Sequence, residues 1–328
     1  MGRKRLRIGI ELTALAAVLI VLPFALTRYY LDLTIVFYTY LILAVSFRLI
    51  TTTGDFSLAH VPLMGMGAYA SALMAKHFGW PFWLTLPLAG LASTVVGLIM
   101  LYPLLRMKAF AFFIGSYAIG EALRLSWIRI GIFGGHRGLS GIPHPSLSIP
   151  GLFTISFAGV VPFYYLTLAI TVLCLVILLL IDRSRITLIF KAIHAEDSLV
   201  RSIGVNVTAY RILAFEVGTF FAGISGVLLA HHLGHIDPHQ FDLTTGLYLL
   251  IWVVVGGFAT FAGPIIGVAF FTLLGEVMRV FGAWMPLVYG CILIISLLFL
   301  PEGLESLLSR LPPLIRKLGK SGTRERGT

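Results

Sequence analysis

The sequence predicts an all-α membrane protein: a polytopic bundle of about ten transmembrane helices, forming one transmembrane domain over residues 1–328. Three observations carry this. The chain is 58% apolar and only 12% charged, more apolar side chain than a soluble protein of this size removes from water. Its apolar stretches are continuous and about 20 residues long, the length of a helical membrane crossing. Nowhere does the period-two alternation of a transmembrane barrel occur. A cytosolic enzyme and a disordered chain are both excluded.

The spans follow in order. The first, 8–27, comes after Arg3, Lys4, Arg5 and Arg7 and reads as a retained helix, because Ala25-Leu26-Thr27 is a poor leader-cleavage site. Spans at 30–50, 56–76, 82–104 and 109–127 come next. The third is interrupted by Ser57, His60 and Pro62 and is preceded by Asp55. A loop at 128–160, rich in Gly, Ser and Pro, separates these from the span 161–181. The run Leu166–Ile181 is typical of the set, with Thr167, Thr171 and Cys174 its least apolar members. An inner loop at 183–211 leads to the span 212–232. The last three spans are 243–259, 263–281 and 284–300, and Gly256–Gly267 reads either as a turn between two spans or as a re-entrant hairpin. A basic tail occupies 301–328.

Orientation follows from Lys and Arg. With the N-terminus inside, 18 of the 24 basic residues fall on inner segments; the other six are Arg28, Lys76, Arg124, Arg129, Arg137 and Arg279. Both termini are therefore expected in the cytoplasm. The net charge of +10 is a topology signal with no basic domain behind it, so no nucleic-acid partner is expected. Membrane lipid is the expected surrounding.

Chemistry is sparse. Gly319-Lys320-Ser321 resembles the end of a phosphate loop, but Leu314 stands where its first Gly belongs. No Gly-x-Ser-x-Gly elbow occurs. The chain is therefore not expected to hydrolyse ATP alone or to act as an enzyme, and no cofactor of its own is expected. Cys174 and Cys291 lie in apolar runs and read as core residues. His231, His232, His235 and His239 gather around Asp237, a pattern some metalloproteins use, but Gly234 and Pro238 break any single helical face there. No metal is expected.

Carboxylates within the spans are costly and point to partners or water paths. The candidates are Glu11, Asp55, Glu121, Glu216 and Glu276. Glu121 and Glu276 have Arg124 and Arg279 three residues on, the spacing of a same-face pair. Glu216 has no local partner, so it either reaches across to another helix or lines a cavity; a chain of such carboxylates would suit the alternative reading, a proton-coupled carrier. Gly67, Ser71 and Ala75 form a small-residue stripe for close helix approach. Irregular backbone at membrane depth is tolerated where it lines a cavity, which makes Gly54, Ser57, His60, Gly65, Gly67 and Tyr69 path candidates along with Glu121 and Glu216. Gly54/Gly256, Phe56/Phe258, Pro62/Pro264 and Gly65/Gly267 align as a weak internal repeat.

In the inner loop, Ile189, Ile193, Val200 and Ile203 fall near one helical face, with Lys191, Glu196, Asp197 and Arg201 around them and Gly204 ending the helix. With five basic residues partly balanced by Glu196 and Asp197, this reads as a protein-docking helix.

The stretch Thr53-Gly54-Asp55-Phe56-Ser57-Leu58-Ala59-His60 through Gly65-Met66-Gly67-Ala68-Tyr69 resembles the signature of ABC importer permeases of the branched-chain amino acid type, the LivM-like subunit. Leu105-Arg106 through Glu121-Ala122-Leu123-Arg124, Gly134-Gly135 through Gly138-Leu139-Ser140-Gly141-Ile142-Pro143, and Lys191-Ala192-Ile193 through Gly204-Val205-Asn206-Val207 agree with it. Leu213-Ala214-Phe215, Phe220 to Gly223, and Gly256-Gly257 with Gly263-Pro264 complete the match. Ala59 stands where the signature usually has Gly. The resemblance implies a subunit in a bacterial inner membrane, paired with a second related permease. Two ATP-binding cassette ATPase subunits would use the ATP, and a periplasmic solute-binding protein would deliver the substrate. It implies that Lys191, Ala192, Glu196, Asp197 and Gly204 belong to the coupling segment, and that the outer loop faces the binding protein. Substrates implied are branched-chain amino acids or, in related permeases, urea, amides or aromatic acids.

Overall fold

The computed structural model describes residues 18–107, 109–149, 153–300 and 303–306. The expectations for residues 8–17, Glu11 among them, and for most of the tail 301–328 lie outside the described residues. The described part of α1 covers 18–25. It is followed by α2 (Arg28–Thr51), α3 (His60–Phe78), α4 (Phe82–Leu104), α5 (Ala109–Arg129), α6 (Val160–Asp182), α7 (Arg185–Ala195), α8 (Asp197–Ser202), α9 (Val207–Leu233), α10 (Leu243–Gly256), α11 (Ala262–Met278) and α12 (Met285–Phe299). Of these, α2, α4, α6 and α9 are both long and apolar enough to cross a membrane by length and composition, and α10, α11 and part of α12 are shorter apolar helices.

α9 is the central post. Its N-terminus is capped by Asn206, whose Oδ1 accepts from the Ala209 N–H at 3.1 Å, and Gly234 in the left-handed conformation ends it. It packs against α2, α3 and α4. The α3 crossing is close because it is made of glycine: a Cβ on Gly67 would lie 2.4 Å from Gly223 Cα, and one on Gly226 would lie 1.9 Å from Met64 O. The small-residue stripe thus sits at this interface.

One end of the bundle carries short strands. β1 (Leu139–Ser140) pairs antiparallel with β4 (His235–Ile236), Leu139 opposite Ile236, and β2 (Ser146–Ile149) pairs with β3 (Phe153–Ser156). The other end carries α7 and α8. There Arg48, buried at 1% exposure, donates to Asp182 Oδ1 at 2.8 Å, Phe258 O at 3.0 Å and Ala259 O at 3.3 Å, joining α2, α6 and the turn between α10 and α11.

Three expectations need correction. The third span was read as 56–76, but α3 begins at His60. Residues 54–59 form a turn whose Leu58 N–H donates to Ser116 Oγ at 3.0 Å on α5. The eighth, read as 243–259, is a helix of 14 residues, about 21 Å long and too short to cross the roughly 30 Å hydrocarbon. It starts inside the bundle. Phe241, just ahead of it, packs on Gly65 and Tyr69, the sixth and tenth of α3's 19 residues, so the chain from Gly234 to Asp242 descends to mid-bundle through β4 and one short 3-10 turn, Pro238–Phe241, and not as an α-helix. The irregular passage lies there, whereas 257–261 is a turn at the α7–α8 end, held by Arg48. Finally, the inner-loop helix is broken at Glu196, whose backbone is extended (φ −160°, ψ 99°). The break changes the helical phase, so Ile193 and Val200 are buried while Ile203 is 75% exposed.

Candidate functional site

At the α7–α8 end, the turn after α2 meets the inner loop directly. Gly54 has φ +91°, and a Cβ there would lie 2.8 Å from His194 Nδ1 on α7. Beside it runs a chain of charges. Asp55 Oδ2 faces Arg211 Nε at 3.4 Å, Arg211 Nη2 faces Asp197 Oδ2 at 3.6 Å, and Asp197 accepts from Arg201 at 2.5 and 3.3 Å. The signature turn, the foot of α9 and α8 are thereby tied together. Burial pushes the Asp55 carboxyl above the usual carboxylate range, and the Arg211 guanidinium partly offsets this. On the outer side of the same small helix, Leu199 and Ile203 stand exposed at 65% and 75%. Lys191, Ala192, Glu196 and Gly204 are exposed around them. α8 therefore presents an apolar tip anchored from behind by ion pairs, an arrangement suited to docking against another protein.

Mid-bundle, a second group assembles. Glu121 and Arg124 on α5 form a two-pronged pair at 2.9 and 2.5 Å, with side chains 25% and 13% exposed. Asp242 lies within electrostatic reach of both. Its Oδ1 caps α10, accepting from the Thr245 N–H at 2.9 Å. Next to it Tyr69, Trp127 and Phe241 pack together, Tyr69 tilted against Trp127 at a centroid distance of 4.7 Å and Phe241 edge-on to Trp127 at 5.8 Å. Gly65 makes room for them, since a Cβ there would lie 2.5 Å from Trp127. Toward the α7–α8 end, an open groove of roughly 570 Å³ runs between α5 and α10, walled by Gly54, Phe56, Phe110, Phe113, Val254 and Phe258.

The structure thus brings Gly65, Tyr69 and Glu121 to one region and places the other path candidates elsewhere. Gly54 is at the α7–α8 end. Ser57 and His60 are buried, and His60 Nε2 shares a 3.0 Å hydrogen bond with Ser46 Oγ. Gly67 is at the α9 crossing. Glu216 lies between α4 and α9, where a Cβ on Gly97 would meet its Oε2 at 3.4 Å; its carboxylate oxygens have no hydrogen-bond partner among the described residues. The four histidines diverge: His231 bonds Ser71 Oγ (2.9 Å) and Pro143 O (2.7 Å), His232 faces Asp32, His235 bonds Ser140 Oγ, and His239 stacks on His136. Among the described residues no group of three or more His, Cys, Asp or Glu is placed to hold a metal ion. The sequence reading missed Asp242, Phe241, Arg211 and Arg48. Asp242 alone carried a local signal, an acidic residue three before Thr245 at the head of an apolar run.

Comparison with known proteins places this geometry. Residues 29–300 match the family model described as branched-chain amino acid transport system / permease component. The chain is 26% identical to the high-affinity branched-chain amino acid transport system permease protein LivM of Salmonella typhimurium (strain LT2), over 89% of this chain and 74% of the relative. It is equally similar to LivM of Escherichia coli (strain K12). It is also 25% identical to the autoinducer 2 import system permease protein LsrC of Escherichia coli O9:H4 (strain HS), over 88% of this chain and 86% of the relative. No solved structure matches.

Proposed function

Because the chain belongs to the branched-chain amino acid transport system / permease component family, we propose that it is one of two related membrane subunits of an ATP-driven importer for branched-chain or related amino acids. The observation that carries the path assignment is the Glu121–Arg124 pair with Asp242 on the α5–α10 side at mid-bundle depth. A charged residue at the bilayer centre costs at least about 2.5–3.5 kcal/mol, so such groups face protein or water and not lipid. Three of them, on α5 and at the head of α10, the two helices whose opposite ends wall the open groove, fit a half-path that a second permease completes.

The exposed tip of α8 is the docking point for the ATPase subunits, and the strand end receives the solute-binding protein. Both termini then lie in the cytoplasm, in agreement with the basic residues. ATP is used by the partners. The LivM relatives favour branched-chain amino acids; the LsrC relative shows that similar permeases are named for a different solute.

The test is a mild-detergent pull-down of the tagged chain from its native membrane, followed by mass spectrometry. Recovery of an ATPase and a second permease supports the reading. A chain that purifies alone and takes up solute in liposomes on a proton gradient contradicts it and turns attention to Glu216.

A further inference from the structure

We propose that residues 235–242, with Phe241 as the plug, form the gate that closes the strand end of the path; this rests on the importer reading above. The segment descends to mid-bundle as a two-residue strand and one short 3-10 turn, Pro238–Phe241, with no α-helix, and backbone interrupted in this way is tolerated at membrane depth only where it is buried in protein or lines a cavity. It begins at Gly234, which is in the left-handed conformation (φ +66°) and frees the chain to change direction after α9. Its tie to the surface is a two-residue ladder, β4 on β1. β1 belongs to the loop that faces a docking binding protein, so an event at that surface reaches the segment through this pairing, the Ser140 Oγ–His235 Nδ1 bond and the His136–His239 stack.

The packing below the segment is apolar and close, but its polar atoms are unmatched. Phe241 is 1% exposed, wedged against Tyr69 and Trp127 in the space Gly65 leaves open. Yet Tyr69 Oη, Trp127 Nε1, Gln240 Oε1 and Arg124 Nη1 are all buried with no hydrogen-bond partner among the described residues. Tyr69 and Trp127 are themselves fully buried. Buried polar groups are rarely left so, and four around one irregular segment mark a place built for a second arrangement. Withdrawal of Phe241 opens these donors and the Gln240 carbonyl to the path beside Glu121 and Arg124. They then line a passage for a small solute that both donates and accepts hydrogen bonds.

The experiment uses the complete importer, with both permeases, the ATPases and the binding protein, in nanodiscs. The chain carries Gln240→Cys together with Cys291→Ser, and the probe is a membrane-impermeant maleimide. The gate predicts that the labelling rate differs by about fivefold or more between the nucleotide-free complex and the ATP-bound complex with its binding protein. It also predicts that adding Phe241→Ala makes labelling fast in both states. If Gln240→Cys does not assemble, Tyr69→Cys, buried behind Phe241, takes its place and leaves the plug intact. Equal labelling in both states, in a complex whose binding protein stimulates ATP hydrolysis, overturns the gate alone. A parent complex with no such stimulation overturns the importer reading and the gate with it.

Discussion

Gly54 and His194 touch across the α7–α8 end of the bundle. A Cβ on Gly54 would lie 2.8 Å from His194 Nδ1, and the glycine holds φ +91°. Through this contact the turn after α2 seats directly on α7, in the proposed coupling segment. Gly54→Ala is therefore expected to cost about 1–3 kcal/mol in backbone strain alone and to displace α7. Uptake should fall at least tenfold, roughly 1.4 kcal/mol in effect, while the chain still inserts. Gly79, also left-handed but with nothing near it, is the control: Gly79→Ala should leave uptake nearly unchanged.

The exposed tip of α8 should separate docking from folding. Leu199→Asp with Ile203→Asp removes apolar surface that is mostly exposed, at 65% and 75%. The double variant should retain its melting temperature and lose the ATPase subunits on co-purification. Glu196→Lys with Asp197→Lys should also abolish transport, but less cleanly, because Asp197 holds Arg201 and Arg211. Normal ATPase capture by the Leu199/Ile203 variant would remove the docking assignment.

Arg48 is a different kind of residue. It is 1% exposed and is satisfied by Asp182 and two carbonyl groups. Arg48→Ala strands Asp182 in a low-dielectric site and is expected to destabilise by about 3–5 kcal/mol. Arg48→Lys keeps the charge but loses the fork geometry, and should recover only part of this. Thermal unfolding in detergent, followed by intrinsic fluorescence, measures both.

Asp55 should give the protein a pH signature. Burial raises its carboxyl above the ordinary 3.8. A group with a raised folded value favours its protonated form, so its stabilising contribution is full below 3.8 and is lost as pH rises through the folded value. Asp55→Asn should flatten the stability curve over that window. Melting temperatures of the two proteins from pH 4 to 8 test this. Parallel curves would mean that Arg211 neutralises the burial effect.

Much of this arrangement was legible in the sequence. Long apolar runs gave α2, α4, α5, α6 and α9 within a few residues, because helix length in a bilayer is set by hydrophobic thickness. The three-residue spacing of Glu121 and Arg124 gave their pairing. Depth was not legible. Leu243 to Ala259 reads as a full span because hydropathy reports lipid compatibility, not where in the bundle a helix begins. The break at Glu196 has no Gly or Pro to announce it; the extended backbone there is held by packing of Ile193 and Val200. Arg48 looked like an orientation signal because its partner Asp182 lies 134 residues away, and no local pattern encodes so distant a pairing.

The central claim is that Glu121 and Arg124 line the route of an ATP-driven importer. The most direct measurement is uptake of radiolabelled leucine into proteoliposomes holding the complete complex with its binding protein, comparing the parent chain with Glu121→Gln. The account predicts ATP-dependent uptake by the parent and at least about a tenfold loss in the variant, with binding-protein-stimulated ATP hydrolysis retained. Undiminished uptake by Glu121→Gln would contradict it.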